Sequence, residues 1–267
     1  MPASELISLR SGTRLVREPR GEYALEGPGA RLPLGKPTRG ILAAIRKMIV
    51  GDAAFENLFA TASGKGSDHG PSRSLSLSTQ LEESGLLCRS VLCQGARLLT
   101  VVPLAREYAV EREQLPASRR FVLSRFAYLR REGGRLILES PLARARVELE
   151  DERASLLLSV LSKPRSAAAA CKFVRGISRA EMQNIFQLLH QTGFLSPVIK
   201  RGVASETNRK SLRQWEFHDL LFHSRSRAGR HGNPYGSVYR FPRIAGQEPA
   251  LKPAMSAEKM WLYSSLK

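Results

Sequence analysis

Three of the five histidines in this 267-residue chain, His218, His223 and His231, fall in one short interval. It runs Trp215-Glu216-Phe217-His218-Asp219-Leu220-Leu221-Phe222-His223-Ser224-Arg225-Ser226-Arg227 and goes on through Gly229-Arg230-His231-Gly232-Asn233-Pro234-Tyr235-Gly236. Imidazoles, hydroxyls and a carboxylate this close together could support hydrolysis, metal binding or the holding of an anionic partner. Hydrolysis would pair His223 with Ser224 or Ser226 and use Asp219 as orienter. Residues adjacent in sequence rarely place a base on its nucleophile, however, and no G-x-S-x-G elbow is present. A metal fares no better, because His218 and His223 are five apart, which drifts off one helical face, and no third ligand is evident. No catalytic and no metal-binding residue is assigned.

The elements that must carry this interval are a helix and a turn. Trp215, Leu220 and Leu221, with Phe217 near them, would line one side of a helix of about two turns, and His218, Phe222 and Arg225 come at steps of three and four. Gly229, Gly232, Pro234 and Gly236 then end any helix. A short amphipathic helix delivering a His- and Arg-rich turn is expected.

Ahead of it the chain alternates short strands and helices. Ile7 to Glu18 reads as a hairpin about a Ser-Gly turn, with further strands at Tyr23 to Glu26 and Arg31 to Leu34. Ile41 to Val50 has helical spacing, Ala53 to Phe59 is a second short helix, and Leu75 to Ser84 is a third that ends at Gly85. Gly64-Lys65-Gly66-Ser67, between the last two, lacks the order of a phosphate-binding loop. Strands flank the Gln94-Gly95 turn. The pattern then repeats: Ala127 to Glu139 parallels Ile7 to Glu18, and Leu189 to Leu195 parallels Leu81 to Leu87. A strand at Ala143 to Leu149, a helix from Glu152 to Leu161, another over Ala167 to Val174 and a capping box at Ser178-Arg179-Ala180-Glu181 complete the second copy. Lys200 to Lys210 reads as a linker. The expected fold is α+β: two tandem winged-helix modules over 1–115 and 116–200, with a linker and connector over 201–267.

A resemblance joins these observations. WEFHDLLFHSRSR, GRHGNPYG and the later Leu251-Lys252-Pro253-Ala254-Met255-Ser256 resemble the segment just ahead of the flavin domain in SagB-type peptide dehydrogenases, the thiazole/oxazole oxidases. The strand and helix order ahead of it is similar to the PqqD-like recognition elements of peptide-modifying enzymes. The family's catalytic domain binds FMN and oxidises azoline rings in ribosomally made peptides. The resemblance implies that the chain is the front portion of such an enzyme, ending before the flavin domain, so that no cofactor is expected in this chain and FMN is expected for the full-length family. It also implies that Trp215, His218, His223, Ser224, Arg225 and Arg227 lie at a junction, against a partner subunit or a substrate channel. The partners it implies are a precursor (leader) peptide and a cyclodehydratase complex or a separate flavin domain.

A winged-helix sheet can take up an extended peptide as an added strand. In the second copy the expected edge is Ala143 to Leu149, with Arg144, Arg146 and Val147 facing the peptide, and the groove wall is Met182, Ile185, Phe186 and Leu189. The bland alternative is that Arg144 and Arg146 form a solvated strand face and that Ile185 and Leu189 are core.

The formal net charge is +18, which would favour an anionic partner, and a DNA-binding winged helix is the competing class. Against DNA, the last helix of the second copy offers Arg179 and His190 but otherwise Glu181, Gln183, Asn184 and Gln187, too few cations for phosphate contacts. Cys88, Cys93 and Cys171 fit neither a disulfide framework nor a zinc knuckle and are expected to be reduced. No signal peptide and no run of 18 apolar residues is present, so a cytoplasmic protein with no membrane partner is expected.

Overall fold

Glycines and caps set the element boundaries in the computed structural model, which describes residues 5–51, 53–54, 70–104, 115–199 and 202–226. Every described residue falls in the same unit, residues 1–232. The two halves repeat one plan. A first strand, β1 (Glu5–Leu9) or β8 (Phe121–Leu123), meets a corner closed by Thr13 N–H to Arg10 O or by Ala127 N–H to Ser124 O, both 3.0 Å. An antiparallel three-strand meander comes next. It is β2 (Arg14–Arg17), β3 (Tyr23–Gly27) and β4 (Ala30–Gly35) in the first half, and β9 (Tyr128–Glu132), β10 (Arg135–Glu139) and β11 (Ala145–Leu149) in the second.

Helices succeed the strands: α1 (Arg39–Val50) and α2 (Gly70–Glu83) in the first half; α3 (Glu152–Val160), α4 (Ala167–Ala170) and α5 (Arg179–Gln191) in the second. The last helix of each half stops at a glycine in the left-handed region, Gly85 at φ 69° and Gly193 at φ 83°. The next N–H reaches back to the carbonyl five residues earlier, Leu86 to Leu81 at 3.1 Å and Phe194 to Leu189 at 2.8 Å. This Schellman ending satisfies carbonyls that the helix leaves orphaned. The strand after it returns to the first one, so that β6 (Leu87–Cys93) pairs with β1 and β12 (Leu195–Pro197) pairs with β8.

Beyond that returning strand the halves diverge. In the first, Gln94 at φ 54° and Gly95 at φ 79° form the two-residue turn that suits the twist of antiparallel strands, and the chain returns as β7 (Ala96–Pro103). This strand crosses into the second half and pairs with β11 from Ala145↔Pro103 to Leu149↔Leu99. One seven-stranded sheet results, in the order β5-β1-β6-β7-β11-β10-β9, where β5 is Ala53–Ala54. This seven-stranded sheet crosses 115/116, the boundary expected between the two modules.

Several expectations need correcting. Ile7 to Glu18 is no hairpin: β1 pairs with β5 and β6 while β2 joins the separate sheet β2-β3-β4, so the Gly12 turn sends the chain between sheets. The internal repeat consequently runs in another register, with Thr13 matching Ala127. Ala53 and Ala54 are strand rather than the start of a helix, and the remainder of that expected helix lies outside the described residues. The helix expected over Ala167 to Val174 closes after Ala170. The expected linker over 200–210 contains α6 (Ser205–Asn208) and the start of α7 (Lys210–Arg213).

Two large cores result. The second-half core holds Val147, Leu138, Phe121, Phe186 and Phe194 and also takes in Leu98, Leu99 and Val101 of β7. The first-half core gathers Ile7, Leu25, Ile45, Met48, Leu81 and Leu86. In that half Arg89 of β6 makes a buried ion pair with Glu82 of α2, which ties the helix to the sheet.

Candidate functional site

The expected peptide edge in the second half is already occupied. β11 pairs with β7 along Ala145–Leu149 and with β10 along Val147–Leu149, so it is an interior strand rather than a free edge for an added strand. Val147 is fully buried, and Met182, Ile185, Phe186 and Leu189 are all core. Arg146 is spent on its neighbours, donating to Glu132 at 3.1 Å and to Glu148 at 2.7 Å. It belongs to a ladder of charges across β9, β10 and β11 in which Arg130 forks onto both oxygens of Glu139 (2.9 and 3.0 Å) and Arg135 pairs with Glu148 at 2.8 Å. Arg144 is exposed and carries interactions of its own.

Side-chain contacts hold β7 and its hairpin in this place. The buried Cys93 thiol donates to Gly176 O at 2.9 Å, and burial raises its pKa, which keeps it a thiol. Arg153 donates to Gln94 Oε1 at 3.2 Å while its fork grips Asp151, the cap of α3. That grip lowers the Asp151 pKa. The start of α5 is fixed beside them by the capping box: Glu181 N–H donates to Ser178 Oγ at 3.2 Å and Ser178 N–H donates to the Glu181 carboxylate at 2.7 Å.

Among the described residues, the equivalent place in the first half is open. β4 is the third strand of its meander and the edge of its sheet, with β3 as its one strand partner among the described residues. Alongside it lies a cleft of about 270 Å³ between β4, the start of α1 and α2. Leu34, Ile41 and Leu77 supply its apolar floor, and Lys36, Thr38 and Gln80 its polar rim. Thr38 is committed, because its Oγ1 caps α1 by accepting from Ile41 N–H at 3.3 Å. Pro33, within β4, removes one ladder donor and accompanies a register shift at Tyr23/Ala24, as is usual at an edge protected against indiscriminate pairing.

A second site is the connector. Its helix α8 (Phe217–Ser226) exists as the spacing predicted, although Trp215 precedes it. Leu220, Leu212 and Phe126 form a small buried cluster with Leu142, Trp215 and Phe217 around them. Trp215 lies against His223 (centroids 5.1 Å apart) and Phe217 against Tyr128 (5.5 Å) and His218 (5.2 Å). His218 and His223 are exposed, while Ser224 is buried with its hydroxyl donating back to Leu221 O at 2.9 Å. The side chains of Arg225 and Arg227, the turn from Gly229 to Gly236 and the stretch from Leu251 to Ser256 lie outside the described residues.

What fastens this connector is not visible in its own residues. Glu206, 7 % exposed, accepts from Ser124 Oγ at 2.7 Å and from Arg125 N–H at 2.8 Å. Arg125 in turn donates to Leu212 O at 2.7 Å and Trp215 O at 3.2 Å, with its guanidinium over the Phe126 ring. A carboxylate that accepts two such bonds can be buried without an ion-pair partner. Among the described residues no three metal-ligating side chains gather, and no helix is long and apolar enough to cross a membrane.

Residues 121–232, under half of the chain, match a family model described as Cyanobactin oxidase ThcOx. The second half and its docked connector are therefore similar to an oxidase family of modified ribosomal peptides. No curated protein matches the chain.

Proposed function

We propose that the first half recognises an extended peptide by strand addition at β4, in a protein related to the azoline oxidases of ribosomal peptide modification. The observation that carries this reading is intramolecular: β7 lies along β11 as an antiparallel added strand, while the matching third strand of the first half has no such occupant among the described residues. Main-chain hydrogen bonds would supply affinity, and the floor of Leu34, Ile41 and Leu77 would select apolar side chains at alternate positions. Each half is read as a winged-helix-like recognition element, of the kind associated with the SagB-type branch, with the second closed by β7. The peptide would be a ribosomal precursor, consistent with the likeness of residues 121–232 to the cyanobactin oxidase family.

The cleft does not fit FMN. At about 270 Å³ it lies below the roughly 300–1,000 Å³ of small-molecule sites, and Lys36 is the one cation at its rim among the described residues. The reading is therefore one of recognition, and no oxidation step is assigned to these residues.

Selection of a displayed twelve-residue peptide library on the full chain, then hydrogen exchange with the winners bound, tests the proposal. Protection should gather at residues 30–35 and 76–83, and Ile41→Asp should abolish binding. Winners that bind the Ile41→Asp variant equally well would refute it. A salt-titrated preference for duplex DNA over those peptides would favour the DNA-binding class instead.

A further inference from the structure

We infer that one corner of the second half is a docking surface for an acidic polypeptide segment, separate from the β4 cleft. Six cations lie on the chain segments that meet there. Arg119 and Arg120 lead into β8, Lys163 and Arg165 come after α3, and Lys172 and Arg175 come after α4. The segments are joined backbone to backbone, Phe121 N–H to Arg165 O at 2.8 Å and Arg165 N–H to Phe121 O at 2.9 Å, and Arg120 donates to Pro164 O at 3.1 Å. The Arg165 guanidinium sits 3.9 Å from the centre of the Phe173 ring, which binds the 172–175 turn to the same place.

None of the six pairs with a carboxylate among the described residues, whereas the arginines of the β9–β11 ladder are matched to Glu132, Glu139 and Glu148. Unpaired like charges held together cost stability through mutual repulsion, and a partner that brings carboxylates removes that cost. The corner is also prepared for contact. Arg120 and Arg165 are already held by a carbonyl and a ring, so little side-chain entropy is lost when their forks meet carboxylates. Phe173 is 48 % exposed beside them and offers an apolar seat.

The form of the patch favours an acidic polypeptide over nucleic acid. The cations are carried by short joined segments between the regular elements, whereas a nucleic-acid backbone is tracked by cations along a groove or a helix face. The long helix that follows in the chain, α5, continues from Arg179 with Glu181, Gln183, Asn184 and Gln187.

Fluorescein-labelled decaglutamate titrated with the full chain tests the inference, because its binding is read apart from any peptide at β4. Lys163→Gln/Lys172→Gln/Arg175→Gln removes three exposed cations that make no ion pair among the described residues and should weaken binding roughly tenfold. Arg17→Gln/Lys47→Gln/Arg213→Gln, which lowers the net charge equally, should change it by less than about twofold. Ile41→Asp at the cleft should leave it unchanged. Equal losses from the two triple variants would reduce the effect to overall charge and overturn the inference. So would a labelled oligothymidine that binds through the same three residues more tightly than decaglutamate.

Discussion

The two halves share a first strand, a corner, a meander, a glycine-ended last helix and a returning strand, yet the same groove has opposite fates in each. In the second half β7 fills it and Leu98, Leu99 and Val101 become core; in the first, β4 stays at the edge beside a cleft. A groove of this plan can hold an extended strand, because this molecule holds its own. The difference leaves a strand edge open in the first half, where recognition is proposed, and closes it in the second.

A charge placed under β7 breaks the comparison most severely. Val101→Asp would bury an unpaired carboxylate in the second-half core and should cost about 3–5 kcal/mol or more, read as loss of the cooperative unfolding transition. Ile41→Asp, at the matching but open groove, should lower stability by no more than about 1–2 kcal/mol while abolishing peptide capture. If the two variants are equally destabilised, the grooves are not in opposite states.

A middling effect is expected at the connector. Glu206→Ala leaves Arg125 N–H and Ser124 Oγ without their acceptor and should cost about 1–3 kcal/mol, with faster amide exchange across residues 205–226 and little change at β4. Ser178→Ala, which removes the cap of α5, should cost about 1 kcal/mol in denaturant melts.

The smallest effect is a pH dependence. The Arg130 guanidinium lowers the pKa of Glu132, and Arg153 does the same to Asp151. Groups with depressed folded-state pKa values stabilise the fold above their unfolded values, near pH 4, and that contribution is lost as pH falls through the folded values. Both carboxylates are in the second half, so acid should loosen it first, and Asp151→Asn should flatten the acid limb of a stability-against-pH curve.

Local chemistry is legible in the sequence, and pairing at a distance is not. Ser178 and Glu181 announce their capping box, Gln94-Gly95 its turn, and Gly85 and Gly193 the matching helix ends, because each is decided within a few residues. The alternation in Arg144 to Leu149 reads as an exposed edge. An interior strand with one polar face has the same pattern, and β7, more than forty residues earlier, decides between them. Two faint hairpin-like stretches align in the wrong register because Gly12 turns the chain between sheets where Gly133 and Gly134 turn it within one. The docked connector looks like a linker because the burial of Glu206 depends on donors from Ser124 and Arg125, which no composition of residues 200–210 can reveal.

Residue-resolved hydrogen exchange on the unliganded protein tests the contrast between the grooves most directly. Amides of residues 147–149, in the part of β11 paired on both sides, should exchange slowly, while those of residues 30–35 that face away from β3 should exchange orders of magnitude faster. Uniformly slow exchange along β4, or fast exchange along β11, would contradict the account.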